Sequence, residues 1–570
     1  MAFRSNTLAG NESKIVTNPT SSAIYFHPEA YTTAGPKLMG RNAAGESFLR
    51  GYLAYGKTNE FWVQVQHIDH GKSFAHAVSS AGRTEQVKAV DKNSLGGLAE
   101  AGTVYHPGPG IGIHAWQRAH YGHANWSLCG ITHTTASAGA MDSIAELLTA
   151  PVQPWDAVIC TSNAVKDNVM RILQAQTDYL VQRTGATRMV LPQLPVIPLG
   201  IHTSDFVYTE DQKAAARAAV NADAKTHVVL FMGRLSFHAK AHPLAMYQAL
   251  EIAAQALPKD ERIVLIECGW HANDFISKAY VDAAQEACSS VRVITLDGRK
   301  AEDRLTAWAS ADVFCSLSDN IQETFGIVPI EAMAAGIPVV VSDWDGYKDT
   351  VRDGIDGYRI PTVMPQAGLG TDLALRHALD VDTYDMYCGH TCSLVSVDVA
   401  ASAKAFSALF ASQELRWKMG EAGRFRARQA YDWAVIIPQY ETLWAQLAEI
   451  RNGNRAFITS LPNPWPARMD PFAAFANYPT ELLTANTKLT LARSDAVQAL
   501  TRWRALAMVN FAKHVIPSDA ECDIVLTALV NGPQTAGTLI QALPAERQPF
   551  VFRALVWMLK LNVLKLADHA

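Results

Sequence analysis

Residues Glu323–Gly346 read ETFGIVPIEAMAAGIPVVVSDWDG. The first part predicts a helix that starts near Thr324 and ends at Gly336, a residue suited to a left-handed C-cap, with Pro338 just beyond. Its neighbours are apolar nearly all round, which marks a buried helix, yet Glu331 stands in its middle. A buried, unpaired carboxylate costs several kcal/mol or shifts its pKa. Glu331 therefore needs a core arginine or a ligand with hydroxyls. The predicted helix N-terminus, at Thr324, Phe325 and Gly326, offers backbone N–H groups suited to phosphate. Glu331 lies roughly 10 Å further along, at 1.5 Å per residue, and Glu323 lies on the other side. A ligand with a diphosphate in the middle and hydroxyls at both ends matches this spacing. Glu323 then holds a sugar and Glu331 a ribose.

Two other stretches bear on the same ligand. FMGRLSFHAK places Arg234 and Lys240 after the strand HVVLFMG, at the strand end where α/β sheets bind ligands. Two cations there suit a diphosphate; the plain alternative is a solvated basic loop. SLCGITHTTAS places His133 at the end of an apolar strand, facing a cleft or filling a structural role.

Working outward, strands alternate with helices, which predicts parallel sheets covered on both faces. SAIYFHPEAY, EFWVQVQH and WDAVICTS read as strands, and SNAVKDNVMRILQAQTDYLVQRTG as a helix N-capped by Ser162. TTAGPKLMGRNAAGES reads as a Gly-containing loop before the helix FLRGYLAYG. The prolines of LPVIPLGIHTSDF break the pattern, and it then restarts with HVVLFMGRL, RIVLIECG, VRVITLDG, DVFCSLS and PVVVSD as strands. Two α/β units of similar size imply a cleft between them. LRWKMGEAGRFRARQAYDWAVIIPQYETLWAQLAEIRNG reads as a long closing helical region. The expected organisation is an N-terminal domain over 1–199, a second domain over 200–430, a closing helix over 431–455, a proline- and aromatic-rich linker over 456–481, and a last module over 482–570.

In order along the chain, these motifs resemble the retaining GT-B glycosyltransferases of the glycogen synthase, sucrose synthase and mannosyltransferase type. GRLSFHAK is similar to that family's Arg/Lys signature, VIPLGIHTSDF to its interdomain stretch, and Glu323 to Glu331 to its E-x7-E block. GITHTT is similar to its cleft histidine segment and LMGRNAAGESFLRG to its N-terminal Gly loop. The resemblance covers roughly the first 450 residues. It implies a GT-B fold of two Rossmann-like, doubly wound domains. It implies a hexosyltransferase that uses a nucleotide-diphosphate sugar, keeps the anomeric configuration and needs no metal or other cofactor. By the same resemblance Glu323 meets the donor sugar and Glu331 the ribose. Arg234 and Lys240 meet the diphosphate, with backbone groups of Phe325, Gly326 and Ile327. His133 stabilises the sugar as it becomes cationic, Gly40 meets sugar and phosphate, and the backbone near Asp297 meets the base. The acceptor is a glycan, a lipid-linked glycan or a protein, on the first domain. A GT-B epimerase or phosphorylase, and an inactive nucleotide-sugar sensor signalling through its last module, are the rival readings. Asp343-Trp344-Asp345 spells the D-x-D of metal-dependent transferases, but Asp345–Gly346 reads as a turn.

Beyond the resemblance, CDIVLTALVNGPQTAGTLIQALPAERQPFVFRALVWMLKLNVLKLAD has three helical runs and a short strand and looks like a winged helix. Four basic residues, Arg547, Arg553, Lys560 and Lys565, are outnumbered by five acidic ones, Asp519, Glu521, Asp523, Glu546 and Asp568, a poor footprint for nucleic acid. Protein docking or self-association is the expectation. From Leu482 the chain reads as helical, and KLTLARSDAVQALTRWRALAMVNFAKHV as a basic amphipathic helix that packs on the module or lies on an anionic membrane.

The 570 residues are 49% hydrophobic and 18% charged with net charge −5, enough for several cores and unlike a disordered chain. The first twenty residues show no apolar signal core, and no run is long enough to span a bilayer. The eight cysteines are scattered, as expected of buried thiols in a reducing compartment. Cys388, His390 and Cys392 lack the second ligand pair of a zinc site. The expected location is the cytoplasm, with contact at the inner face of the membrane.

Overall fold

The computed structural model describes residues 22–32, 40–455 and 463–567. The N-terminal stretch without an apolar core, most of the predicted Gly loop before residue 40, and the start of the predicted linker lie outside these residues. The described chain divides into two compact units, Met1–Trp465 and Pro466–Ala570.

The first unit holds two six-stranded parallel sheets. The first comprises β1 (Ala23–Phe26), β2 (Glu60–Val65), β3 (Gln86–Val90), β4 (Thr103–Tyr105), β5 (Ser127–Ile131) and β6 (Ala157–Ile159). Their order is β3-β2-β1-β4-β5-β6. The second comprises β7 (Thr226–Met232), β8 (Arg262–Gly269), β9 (Arg292–Asp297), β10 (Val313–Ser316), β11 (Val339–Ser342) and β12 (Gly357–Ile360). Read from the other edge, its order is β9-β8-β7-β10-β11-β12, the same pattern. Both sheets are therefore doubly wound α/β sheets, the expected GT-B layout. In each the strand order reverses between the first and fourth strands, the place where open α/β sheets generally bind ligands, beyond the carboxyl ends. The buried strands read as continuous apolar runs because helices cover both faces; all of Val228–Met232 is buried.

Eight helices matter below: α1 (Gly40–Tyr55), α2 (Asn163–Thr184), α3 (Leu244–Ala256), α4 (Asp274–Ala287), α5 (Ile327–Ala335), α6 (Tyr384–Cys392), α7 (Gln413–Arg426) and α8 (Trp433–Asn454). Ser162 caps α2 as predicted, accepting from Val165 N at 3.2 Å. α1 begins at Gly40, so the residues predicted to stay in a loop up to Ser47 are already helical. The long closing segment is two helices. A π-helical turn at Ala427–Tyr431 separates α7 from α8, and the Asp432 carboxylate caps α8. α8 returns to the first sheet: Tyr440 packs on Tyr105 and Phe48, and Arg451 donates to Ser127 Oγ at 2.7 Å.

The second unit contains a three-stranded antiparallel sheet with Lys488–Leu491 between Gln534–Thr535 and Leu564–Leu566. Helices Ala496–Arg504, Asp519–Ala528 and Gln548–Lys560 bury Leu500, Val525, Leu526, Leu555 and Met558 with Leu489. This corrects two readings. The chain is not helical from Leu482, and the basic amphipathic segment is not one helix: KLTL pairs as the central strand. A four-residue apolar alternation fits a strand or a helix equally, and only the pairing decides it. No helix among the described residues is long and apolar enough to cross a membrane.

Candidate functional site

In the second sheet the reversal lies between β7 and β10, which pair through Val313↔Val229 and Phe314↔Leu230. The segment after β7 carries Arg234 and Lys240, and the segment after β10 carries Gln322 and Glu323. The two segments are bonded together. Lys240 Nζ donates to Glu323 Oε2 at 2.5 Å, and Arg234 donates to Gln322 Oε1 at 3.0 Å and to Ala239 O at 2.7 Å. Asn320 adds a bond from Nδ2 to His238 O at 3.0 Å.

The approach to α5 differs from the prediction. The helix starts at Ile327, not Thr324, and Gly326 precedes it with φ 82°. The expected free N–H groups are not all free: Thr324 N and Gly326 N donate to Glu323 Oε1 at 3.3 and 3.1 Å. The carboxylate of Glu323 thus takes the place of an N-cap side chain. Gly326 is required here, since a Cβ would lie 2.0 Å from the Tyr347 ring. Burial opposes ionisation of Glu323, but Lys240 and the N–H donors outweigh it and hold the carboxyl below its usual range. Phe325 is buried. At the far end Gly336 takes the predicted left-handed C-cap, φ 78°.

Glu331 lies on α5, half-buried, without a hydrogen bond or ion pair to any described residue. Burial pushes its pKa up to about 7, against the pull of Arg304. The core-arginine alternative is therefore not what the structure shows: Arg304 is close enough to be felt but does not pair. Asp297 ends β9 and is spent locally. Its carboxylate binds Arg299, its N–H donates to Asp303, and its carbonyl accepts from Lys300. No hydrogen bond among the described residues links Asp297 or Glu331 to the Glu323 group.

The first sheet supplies His133, two residues past β5. Its carbonyl accepts from Thr324 Oγ1 at 2.7 Å, and Thr324 O accepts from Ser162 Oγ at 2.8 Å. The carboxyl edge of the first sheet therefore touches the Glu323 segment. Gly40 opens α1, in the connection that follows β1.

Sequence reasoning missed an excursion between two short paired strands, Thr362–Val363 and Ser396–Val397. Its helix α6 seats Cys392 against the carbonyls of Phe237 and His238, and Tyr384 shares a 3.2 Å hydrogen bond with Thr134. It thereby touches both the Arg234–Lys240 segment and the His133 segment. Cys388, His390 and Cys392 sit on α6, where both thiols are buried and His390 binds Asp382 at 3.0 Å. Asp345 takes the predicted turn with φ 41°. Its Oδ2 is buried without a partner among the described residues, and burial and Glu323 push its pKa well up.

Residues 212–368 match the family described as "Glycosyl transferases group 1". The segment carrying Arg234, Lys240, Glu323 and Glu331 thus has the sequence pattern of that family. Among curated proteins, the chain is 30% identical over 210 residues to a "D-inositol 3-phosphate glycosyltransferase" of Mycolicibacterium vanbaalenii, covering 35% of this chain and 44% of that one. It is 36% identical over 145 residues to a "Phosphatidyl-myo-inositol mannosyltransferase" of Mycobacterium leprae, covering 25% and 29%. The chain spans less than half the length of these relatives. A solved structure of HepE from Anabaena, in complex with UDP, aligns at TM-score 0.48 and 14% identity, covering 74% of this chain and all of that one. Sucrose-phosphate synthase from Thermosynechococcus elongatus aligns at 0.44 and 17%, covering 75% of this chain and all of the other.

Proposed function

We propose that the protein is a retaining glycosyltransferase that moves a sugar from a nucleotide-diphosphate sugar to a glycan, lipid-linked or protein acceptor. The observation that carries this reading is the joining of Arg234, Lys240 and Glu323 at the reversal point of the second sheet. Two cations and a carboxylate meet there beside the N-terminus of α5. Arg234 and Lys240 neutralise the diphosphate as the glycosidic bond breaks, a role in which charge stabilisation is usually the largest single contribution. The backbone of Phe325 and Ile327 assists. Glu323 accepts from the sugar hydroxyls, Glu331 from the ribose, and His133 stabilises the sugar as it becomes cationic. Gly40 meets the sugar and phosphate, and the backbone near Asp297 the base. The departing phosphate oxygen takes the acceptor's proton on the same face, which retains configuration. No metal is assigned a role. The names of the curated relatives support the choice of transferase chemistry.

The second unit is read as a winged-helix-like module for a protein partner or self-association, and the location as cytoplasmic with peripheral membrane contact. Proton NMR of the first-formed sugar during hydrolysis of an α-linked donor tests retention. The α-anomer is expected, and a β-anomer overturns the mechanism.

A further inference from the structure

Residues 496–518 read AVQALTRWRALAMVNFAKHVIPS and contain no acidic side chain. The sequence left two fates open for this stretch as one amphipathic helix: packing on the last module, or lying on an anionic membrane. The structure splits it in two. Helix Ala496–Arg504 turns Ala496, Ala499 and Leu500 into the core of the second unit, with Trp503 packed against that core. The module uses up the apolar face of this half.

The chain turns at Ala505 and goes on as one short turn, Ala507–Asn510, which buries none of its residues. Met508 is 80% exposed and Phe511 82%, and Leu506 and Val515 are exposed as well. Phe511 keeps a right-handed helical backbone, so Met508 and Phe511, three residues apart, lie on one side. Ile516 returns the chain to the interior. Large apolar side chains gathered on one exposed stretch, rather than scattered singly, mark a surface to be covered.

Charge narrows what covers it. Arg502 is held by Asp495 at 3.0 Å, and Arg504 by Asp519 at 2.8 Å and by the carbonyl of Pro517. Lys513 and His514 are exposed and make no ion pair or hydrogen bond to any described residue. An unspent cation thus stands two residues from Phe511, in a stretch with no carboxylate of its own. Apolar side chains beside such a cation suit the boundary of a bilayer, where the apolar groups enter the acyl region and the ammonium stays at the phosphates. We infer that residues 506–515 form a membrane-docking surface that inserts Met508 and Phe511 into an anionic bilayer, with Lys513 at the headgroups. The stretch lies outside residues 212–368, which carry the family pattern. The inference rests on the peripheral membrane contact read above and deepens it by naming the segment and the lipid charge; no transferase step depends on it.

Cosedimentation of the full-length protein with phosphatidylcholine vesicles, with and without phosphatidylglycerol, tests it. Binding is expected to the vesicles that contain phosphatidylglycerol, and it should weaken as salt is raised. Met508→Ser combined with Phe511→Ser should lower the affinity about tenfold or more, and Lys513→Glu about tenfold. These side chains are exposed, so urea midpoints like the parent's are expected. Phe511→Trp, which keeps an aromatic ring suited to the interface, should bind at least as tightly as the parent. Absence of binding to either vesicle would overturn the inference and the membrane contact together. Binding to anionic vesicles that is equal in the serine and glutamate variants would overturn the assignment to this segment and leave the membrane contact standing. Equal binding to neutral vesicles would overturn the role given to charge. A parent dimer that the double serine variant converts to a monomer, read by light scattering, would give the surface to a second copy and overturn the inference.

Discussion

The two sheets of the first unit share one strand order and differ in what stands at their carboxyl edges. In the second sheet the reversal point gathers formal charge, with Arg234 and Lys240 on one side and Glu323 on the other. In the first sheet the same edge carries imidazoles and a tyrosine, two of those imidazoles, His106 and His114, held below the usual histidine range by burial. One topology thus carries two kinds of edge. One edge is built of formally charged side chains, the other of imidazoles and a phenol. The fold sets where a ligand goes, and the side chains at the strand ends set what it is.

The sharpest way to break this contrast is at Glu323. Glu323→Ala is expected to lower transfer by roughly a hundredfold or more, with a far-UV spectrum like the parent's; turnover within a few-fold of the parent would sink the assignment. The double variant Arg234→Ala, Lys240→Ala should weaken nucleotide-diphosphate binding by about a hundredfold, as two charge-assisted contacts are lost. Equal affinity by calorimetry would move the phosphate site elsewhere. Gly326→Ala should destabilise the fold by about 2–4 kcal/mol, because its φ is left-handed and the new methyl meets the Tyr347 ring. A urea midpoint like the parent's would show that the α5 entry relaxes freely.

The smallest expected effect concerns Glu267, on the β8 face shared with α3 and α4. It is buried, accepts from the Tyr247 hydroxyl at 2.5 Å, and is pushed up to about 7 mainly by burial. An unfolded glutamate titrates near ~4.3. Between those values the folded protein holds a proton that the unfolded chain has lost. Its contribution is complete below the lower value and disappears as pH rises through about 7. Glu267→Gln should flatten the decline in stability over that window by up to about 1 kcal/mol per pH unit, read as urea midpoints at successive pH values. An unchanged slope would place the proton elsewhere, for instance on Asp319, also pushed up to about 7 by burial.

Much of this was legible in the order of residues. Local signals held where the chain obeys local rules: the Ser162 cap, the Gly336 stop and the run Arg262–Gly269 fall where they were read. The start of α5 was not legible, because Glu323 folds back to accept the N–H groups expected to stay open, and that geometry has no signature in the residue order. KLTL was misread because its short period is ambiguous until Gln534–Thr535 and Leu564–Leu566 pair beside it. The grouping of histidines past β1, β2, β4 and β5 was invisible for a topological reason. His27, His67, His106 and His133 become neighbours only once β1 lies between β2 and β4. The excursion bearing Tyr384 was missed because its importance lies in contacts to Thr134 and the His238 segment, far away in the chain.

Nucleotide release is the assay on which the donor site stands or falls. The purified protein is mixed in turn with UDP-, GDP-, ADP- and CMP-sugars, with and without EDTA, beside the Glu323→Ala variant. Slow release from one donor is expected, unchanged by EDTA and lost in the variant. Release that EDTA abolishes would contradict it by returning the chemistry to a metal at Asp343 and Asp345. Absence of both binding and turnover with every donor would contradict the donor site itself.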